Sequence, residues 1–122
     1  MKKLIKIDYF LNKFMPKVNE IMTVYFERTP KDAIYPYGVI PDLSISTLDY
    51  GAQVLFDIEL YINELSESNV EKLCDDLRIG LDGYHYQDEE IGFHINFDGQ
   101  YLGKMTEQDS SMRRVTFIAR IF

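Results

Sequence analysis

The chain has 122 residues, about the size of one domain, and needs neither a metal nor a disulfide to build a core. Its single cysteine excludes an internal disulfide, and its formal net charge of −7 argues against a binder of the DNA backbone. No run approaches the roughly 18 apolar residues of a membrane span. The basic start MKKLIKIDYFLNKFM is interrupted by Asp8, Asn12 and Lys13, so we expect no signal peptide.

The first predicted element is a helix, since Ile7, Phe10, Leu11 and Phe14 recur at helical spacing. Pro16 lacks the backbone N–H that a helix interior requires, which predicts an end near residues 14–15. A strand over residues 21–27 and a turn at residues 29–32 follow.

Two prolines bound the next segment, AIYPYGVIPDL, at residues 33–43. Because neither Pro36 nor Pro41 can donate a ladder hydrogen bond, each is expected at a strand start, an edge or a bulge. The residues between them, YGVI, are predicted to form a short strand that Gly38 allows to bend. Residues 43–51 are expected to be either a loop or one arm of a hairpin.

The clearest pattern is a strict alternation over residues 53–63, QVLFDIELYIN, which predicts a long, half-buried antiparallel strand. One face carries Val54, Phe56, Ile58, Leu60 and Ile62. The opposite face carries Leu55, Asp57, Glu59, Tyr61 and Asn63. We expect the first face to pack against the helices.

A second helix is predicted after residue 68. Ser68 and Glu71 have the spacing of a capping box, with Ser68 as the N-cap. Gly80 or Asp82-Gly83 would end the helix. Its apolar stripe consists of Val70, Leu73, Cys74, Leu77 and Leu81.

The remainder of the chain is predicted to be β structure. Phe93, Ile95 and Phe97 alternate with polar residues, and Asp98-Gly99 predicts a tight hairpin turn. Residues 106–114 are expected to form a polar loop before a final strand whose inner face is Val115, Phe117, Ala119 and Ile121. This order predicts a single α+β domain, a mainly antiparallel sheet of about five or six strands covered on one face by two helices.

No residue set predicts catalysis or a cofactor, because neither a GxGxxG nor a GxxxxGK[ST] loop occurs. His85 and His94, near the acidic residues 88–90, suggest a metal site, but the spacing is unlike that of zinc ligands and a solvated turn is the favoured interpretation. Cys74 lies on an apolar stripe, where a thiol is inert. We therefore predict no enzyme, no cofactor and no bound metal.

Two charged pairs have two interpretations each. Asp57 and Glu59 lie two residues apart on one strand face, which suits paired catalytic carboxylates but is more typical of an exposed face at a subunit contact. Arg113 and Arg114 form a small basic spot or guard a strand edge. Asp57, Glu59, Tyr61, Arg113 and Arg114 are the predicted interface residues.

Four stretches together resemble a known family: VYFERTPKDAIYPYGVIPDL, VLFDIELYIN, NVEKLCDDLRIGLDG and RRVTFIARIF. They are similar to the small tail terminator proteins (tail completion, head–tail joining) of long-tailed bacteriophages and prophages. The resemblance covers residues 22–122. The chain departs from the family pattern at residues 38–41, where Pro41 interrupts an otherwise hydrophobic strand.

The resemblance implies a structural virion protein, assembled in the host cytoplasm, that forms a hexameric ring. Such a ring caps the tail tube, ends tail polymerisation and joins the tail to the head connector. Its partners would be further copies of itself, the major tail tube protein and the head-completion protein, with no membrane and no specific nucleic-acid binding. The alternative is a small acidic adaptor or inhibitor that binds a host or phage protein, for which the negative charge is the support.

Overall fold

The computed structural model describes residues 7–48, 51–63, 69–104 and 111–122. Within them lie two helices and seven strands. Neither helix is long and apolar enough to cross a membrane. In chain order the elements are α1 (Ile7–Asn19), β1 (Val24–Phe26), β2 (Tyr37–Ile40), β3 (Ser44–Leu48), β4 (Gly51–Tyr61), α2 (Val70–Leu81), β5 (His85–Gln87), β6 (Gly92–Lys104) and β7 (Ser111–Ile121).

The seven strands form one curled, mixed sheet in the order β1-β2-β4-β7-β6-β5, and β3 pairs with β4. The β1–β2 pair is parallel, and the other described pairs are antiparallel. The predicted α+β class is confirmed. The sheet has more strands than expected because β3 and β5 are short strands of their own, although the hairpin predicted after residue 93 is the single strand β6.

The core lies on the face of the sheet that the helices cover. All five residues predicted for the inner face of β4 and its continuation are buried, which confirms that register. They pack with the inner residues of β7 and with both helices in one hydrophobic cluster. At its centre is the phenylalanine cluster, which consists of Phe10, Phe14, Phe56, Phe93 and Phe117.

Helix α1 runs through Pro16 to Asn19, so the predicted end near residue 14 is wrong. Pro16 is exposed, and water can therefore reach the carbonyl that its missing N–H leaves free. Burial of Val18, one turn beyond Phe14, favours continuing the helix. At its end, the Asn19 amide donates to the Met15 carbonyl at 2.9 Å and accepts from the Val24 N–H at 3.0 Å.

Helix α2 has the predicted apolar stripe, with all but the half-buried Leu73 fully buried. Its N-cap is Asn69, which makes no side-chain capping hydrogen bond, and the predicted N-cap Ser68 lies outside the described residues. The structure thus places the N-cap one residue later than predicted, and the Glu71 carboxylate accepts a hydrogen bond from Arg113. The helix ends at Asp82, and Gly83, at φ 81°, turns the chain away, as predicted.

The two prolines bound β2, as predicted. Pro36 follows a cis peptide bond, and Pro41 separates β2 from β3 along the same edge of β4. Gly38 also has a packing role that the sequence did not predict. A Cβ there would lie 2.9 Å from Ile58 Cγ2 and 3.1 Å from Val24 Cγ2.

Three other predictions at strand ends are wrong. The first strand is limited to β1, because residues 21–23 lie in the turn after α1. Asp98-Gly99 is not a hairpin turn, since β6 continues to Lys104 past a bulge between Phe97 and Gly99. The expected loop over residues 106–114 is partly strand, because β7 begins at Ser111 and pairs there with β6.

Candidate functional site

The helix-free face of the sheet, opposite the core, holds four of the five predicted interface residues. Asp57, Glu59 and Tyr61 alternate with the buried residues of β4, so they share this outer face. Arg114 joins them because β7 pairs with β4 in a register that sets Glu59 opposite Arg114 and Asp57 opposite Thr116. Residues 55 and 59 positions apart in the chain thereby become direct neighbours.

Asp57, Glu59, Arg114 and Thr116 form a charge cluster. The Arg114 guanidinium lies between the two carboxylates, with Nε 3.7 Å from Asp57 Oδ2 and Nη2 3.8 Å from Glu59 Oε2. The Thr116 hydroxyl donates to Asp57 Oδ1 at 2.6 Å. Two carboxylates on one strand face repel each other, and the shared cation offsets that repulsion. The pair is thus bridged, as in a structural contact.

Beside the charge cluster is a tyrosine cluster of Tyr25, Tyr35, Tyr37 and Tyr61. The Tyr37 ring is central and lies 5.8 Å from Tyr25, 5.4 Å from Tyr35 and 5.2 Å from Tyr61, centroid to centroid. Partial burial raises the pKa of the Tyr37 phenol. Burial, and secondarily the Glu59 carboxylate, raise the pKa of the Tyr61 phenol. These hydroxyls therefore stay protonated at neutral pH and can donate hydrogen bonds to a partner.

Only Tyr61 of this cluster was predicted as a site residue. The signal for the others was partly present, because Tyr35 and Tyr37 flank Pro36 in the sequence. What joins them to Tyr61 is the pairing of β2 with β4, which sets Tyr37 directly opposite Tyr61. Tyr25 lies beside Tyr37 because β1 pairs in parallel with β2.

Arg113 does not belong to this face, which corrects the prediction that both arginines act together. It pairs with Leu60, whose side chain is in the core, and its Nε donates to the Glu71 carboxylate of α2 at 3.0 Å. Nor do the arginines guard an edge, because β7 lies between β4 and β6. Arg113 thus ties α2 to the sheet.

The histidines are neighbours, since His85 on β5 lies opposite His94 on β6 with ring centroids 5.8 Å apart. No group of three metal-ligating side chains occurs in the described parts of the chain. Asp88 organises the turn between these strands: its Oδ1 accepts the Glu90 and Ile91 N–H groups, each at 2.8 Å. Those bonds, with one from the Tyr86 hydroxyl, hold the pKa of Asp88 below its usual range.

Cys74 is buried on the inner face of α2, as predicted. Desolvation by burial, and secondarily the Glu71 carboxylate, raise the pKa of its thiol to about 11. A thiol with that pKa is overwhelmingly protonated at neutral pH, so it is a poor nucleophile.

No protein-family model and no curated protein matches this chain. What the geometry of the outer face offers chemically is a sheet surface with half-exposed aromatic rings, phenolic donors and a bridged set of charges. Such a surface suits contact with another protein, because tyrosine is enriched where interfaces bury one end of a side chain and leave the other wet.

Proposed function

We propose that this chain is a tail terminator of a long-tailed bacteriophage or prophage, a structural protein that works as a ring. In this role it caps the tail tube, ends tail polymerisation and joins the tail to the head connector. The observation that carries the proposal is the helix-free sheet face, where the tyrosine cluster and the charge cluster adjoin through β4.

The tyrosine cluster has the properties of the centre of an interface. Tyr35 is 45% exposed, whereas its neighbours Tyr25, Tyr37 and Tyr61 are half-buried, and the rings already pack against one another in the single chain. Rigid aromatic side chains lose little conformational entropy on binding and often dominate the binding energy. The neighbouring charges would then set the register of a contact more than its affinity.

A ring requires heterologous contacts, in which one surface of each subunit meets a different surface of the next. In this proposal the outer face supplies one such surface of each subunit. The acidic balance, 20 Asp and Glu against 13 Lys and Arg, also fits a ring around a DNA channel, because like charges repel the passing phosphates.

Two parts of the sequence-based picture bear on this proposal. Residues 43–51 were expected to be either a loop or one arm of a hairpin, and the hairpin arm is confirmed, because β3 occupies most of that range and pairs with β4. Reversing both arginines together is a poor assembly test, because Arg113 pairs with Glu71 of α2. The charge on the outer face is better probed at Arg114 alone.

A sharp test substitutes Tyr35→Glu, which adds a charge to the tyrosine cluster at an exposed position. The variant should fold but form no rings in electron micrographs at high concentration. Phage carrying it should make overlong tails or tails that never join heads. The matched control is Ile79→Glu, since Ile79 is 70% exposed and lies on α2, away from the outer face.

Phage that lack the gene, yet make tails of normal length joined to heads, would show the terminator assignment to be wrong. The gene's neighbourhood gives a second check, because a terminator gene is expected between head-completion genes and the major tail protein gene. With both results negative, the acidic adaptor or inhibitor becomes the leading proposal.

A further inference from the structure

Strand β3 has an open edge. One side of Ser44–Leu48 pairs with β4, and among the described strands none pairs with its other side. All five residues are exposed, and none is charged or proline, the usual devices that keep an edge from pairing. The backbone of β3 is therefore available for one more strand.

A groove of about 350 Å³ lies along this region, between the first turns of α1 and the start of β3. Its apolar walls come from three elements, since Ile7 and Leu11 belong to α1, Phe26 ends β1, and Leu43 and Ile45 flank the start of β3. Ile45 is 43% exposed, so apolar side chains of an incoming segment would cover surface that now faces water.

The other side chains lining the groove are all acidic. They are Asp8, Glu27 and Asp42, all exposed, and none of the described lining residues is a lysine or arginine. An occupant that carries both apolar and basic residues would therefore complement the groove in both respects.

The first six residues of the sequence have this combination of apolar and basic side chains. Residues 1–6 read MKKLIK, with Lys2, Lys3 and Lys6 around Leu4 and Ile5. The remainder of the chain has 10 basic residues against its 20 acidic ones, so this is the densest basic stretch in the sequence. Six extended residues span about 20 Å, enough to cover a five-residue strand edge of about 17 Å.

We propose that residues 1–6 of one copy bind along the β3 edge and the acidic groove of a second copy. Docking of the segment into the groove of its own chain is the competing arrangement, and mixing the two variants described below distinguishes it. Pairing of two β3 edges with each other would leave the acidic side chains of both copies without basic partners.

This contact is heterologous, because the segment and the groove are different surfaces of one molecule. It can therefore repeat from copy to copy. The proposal does not depend on the tail-terminator assignment, since self-association is measurable with purified protein and no phage. Failure in one test leaves the other standing.

The experiment uses two full-length variants with opposite charge changes. The segment variant carries Lys2→Glu, Lys3→Glu and Lys6→Glu, and the groove variant carries Asp8→Lys, Glu27→Lys and Asp42→Lys. In each variant alone, the segment and the groove carry charges of the same sign and repel each other. Self-association measured by sedimentation velocity should therefore weaken about tenfold or more. Mixing the two restores opposite charges at both possible contacts, so the mixture should associate as the unmodified protein does.

A matched control carries the same charge change elsewhere, at Lys13→Glu, Lys31→Glu and Lys72→Glu, and should associate normally. Circular dichroism checks that every variant is folded. Should the groove variant fail to fold, a labelled peptide MKKLIK is titrated onto the segment variant, whose groove is intact, and saturable binding weakened by salt is expected.

Three results would overturn the proposal. A segment variant that associates normally would point to β3–β3 pairing. Two variants that stay apart when mixed would point to docking within one chain. Unmodified protein that stays monomeric at high concentration, with a peptide that does not bind, would leave the groove without this occupant.

Discussion

The two faces of the sheet carry two aromatic clusters whose rings lie at similar distances but differ in their exposure to solvent. In the phenylalanine cluster, neighbouring ring centroids lie 4.9 Å to 6.4 Å apart, and in the tyrosine cluster 5.2 Å to 5.8 Å. Phe56 and Tyr61 even come from one strand, β4, on opposite faces. Yet Phe56 is 2% exposed, whereas Tyr35 is 45% exposed.

The difference follows from the hydroxyl group. A buried phenol needs a hydrogen-bond partner, whereas a phenyl ring needs none, so the helix-covered face uses phenylalanine and the open face uses tyrosine. Ring packing on the covered face stabilises the fold. We propose that similar packing on the open face holds a surface for a partner, at smaller benefit to the isolated chain.

The largest effect should come from breaking the covered cluster. Phe56→Ala removes a ring that contacts Phe10, Phe14 and Phe117 and leaves a cavity. The free energy of unfolding should fall by about 3–5 kcal/mol, measured by urea denaturation. Tyr35→Ala is the comparison on the open face and should cost less than about 1 kcal/mol, as for most exposed positions. Equal losses at the two positions would contradict the proposed division of roles.

Overpacking the inner face at Gly38 should have the next largest effect. The added methyl group of Gly38→Ala would meet Ile58 and Val24 at distances that force side chains to move. We expect a loss of about 1–3 kcal/mol in unfolding free energy. Gly99→Ala is the matched control, since nothing lies within 4 Å of its added Cβ, and it should stay within about 0.5 kcal/mol of the unmodified protein.

Double-mutant cycles can test whether Arg113 and Arg114 act on opposite faces of the sheet. Arg113→Ala should couple with Glu71→Ala, and Arg114→Ala with Asp57→Ala, by about 0.2–1 kcal/mol for each partly exposed pair. The crossed cycle of Arg113→Ala with Asp57→Ala should be additive, because the two side chains lie on opposite faces of the sheet. Coupling in the crossed cycle would mean that Arg113 reaches the outer face.

The smallest effect concerns alkaline pH. The folded pKa values of Tyr37 and Tyr61 are raised, so folding favours their protonated forms. Their contribution to stability is present below the unfolded value of about 10 and is lost as the pH rises through the folded values. Unfolding free energies measured across that range should fall less steeply for Tyr37→Phe than for the unmodified protein. An identical slope would argue against partial burial of this phenol.

Much of the fold could be predicted from local patterns. The alternation in β4 and the apolar stripe of α2 each repeat often enough to fix a buried face. Predictions failed where a single residue or residue pair was expected to end a helix or strand that in fact continues past it. Pro16 is tolerated because it is exposed while Val18 is buried, and Asp98-Gly99 forms a bulge because β6 has a partner, β7, on both sides of it.

The candidate site was less accessible to sequence reasoning. The shared face of Asp57, Glu59 and Tyr61 follows from alternation within one strand. That Arg114 joins them follows from the pairing of two strands distant in the chain, which no local pattern contains. Neighbouring residues of a strand point to opposite faces, so Arg113 and Arg114 would have been predicted on different faces had both been assigned to a strand. Their assignment to the end of a loop hid this.

Pro41 interrupts the pairing along one edge of β4, so the β2–β4 pairing and the β3–β4 pairing can open separately. Val39 faces Glu59 and Ser44 faces Leu55, so residues 40–43 lie opposite only residues 56–58, with one residue in excess. Hydrogen bonding cannot run unbroken from β2 to β3 across this point. Amide protons of β3 should therefore exchange with solvent by local fraying of the β3–β4 hairpin, while those of β2, held between β1 and β4, exchange only in rarer and larger openings.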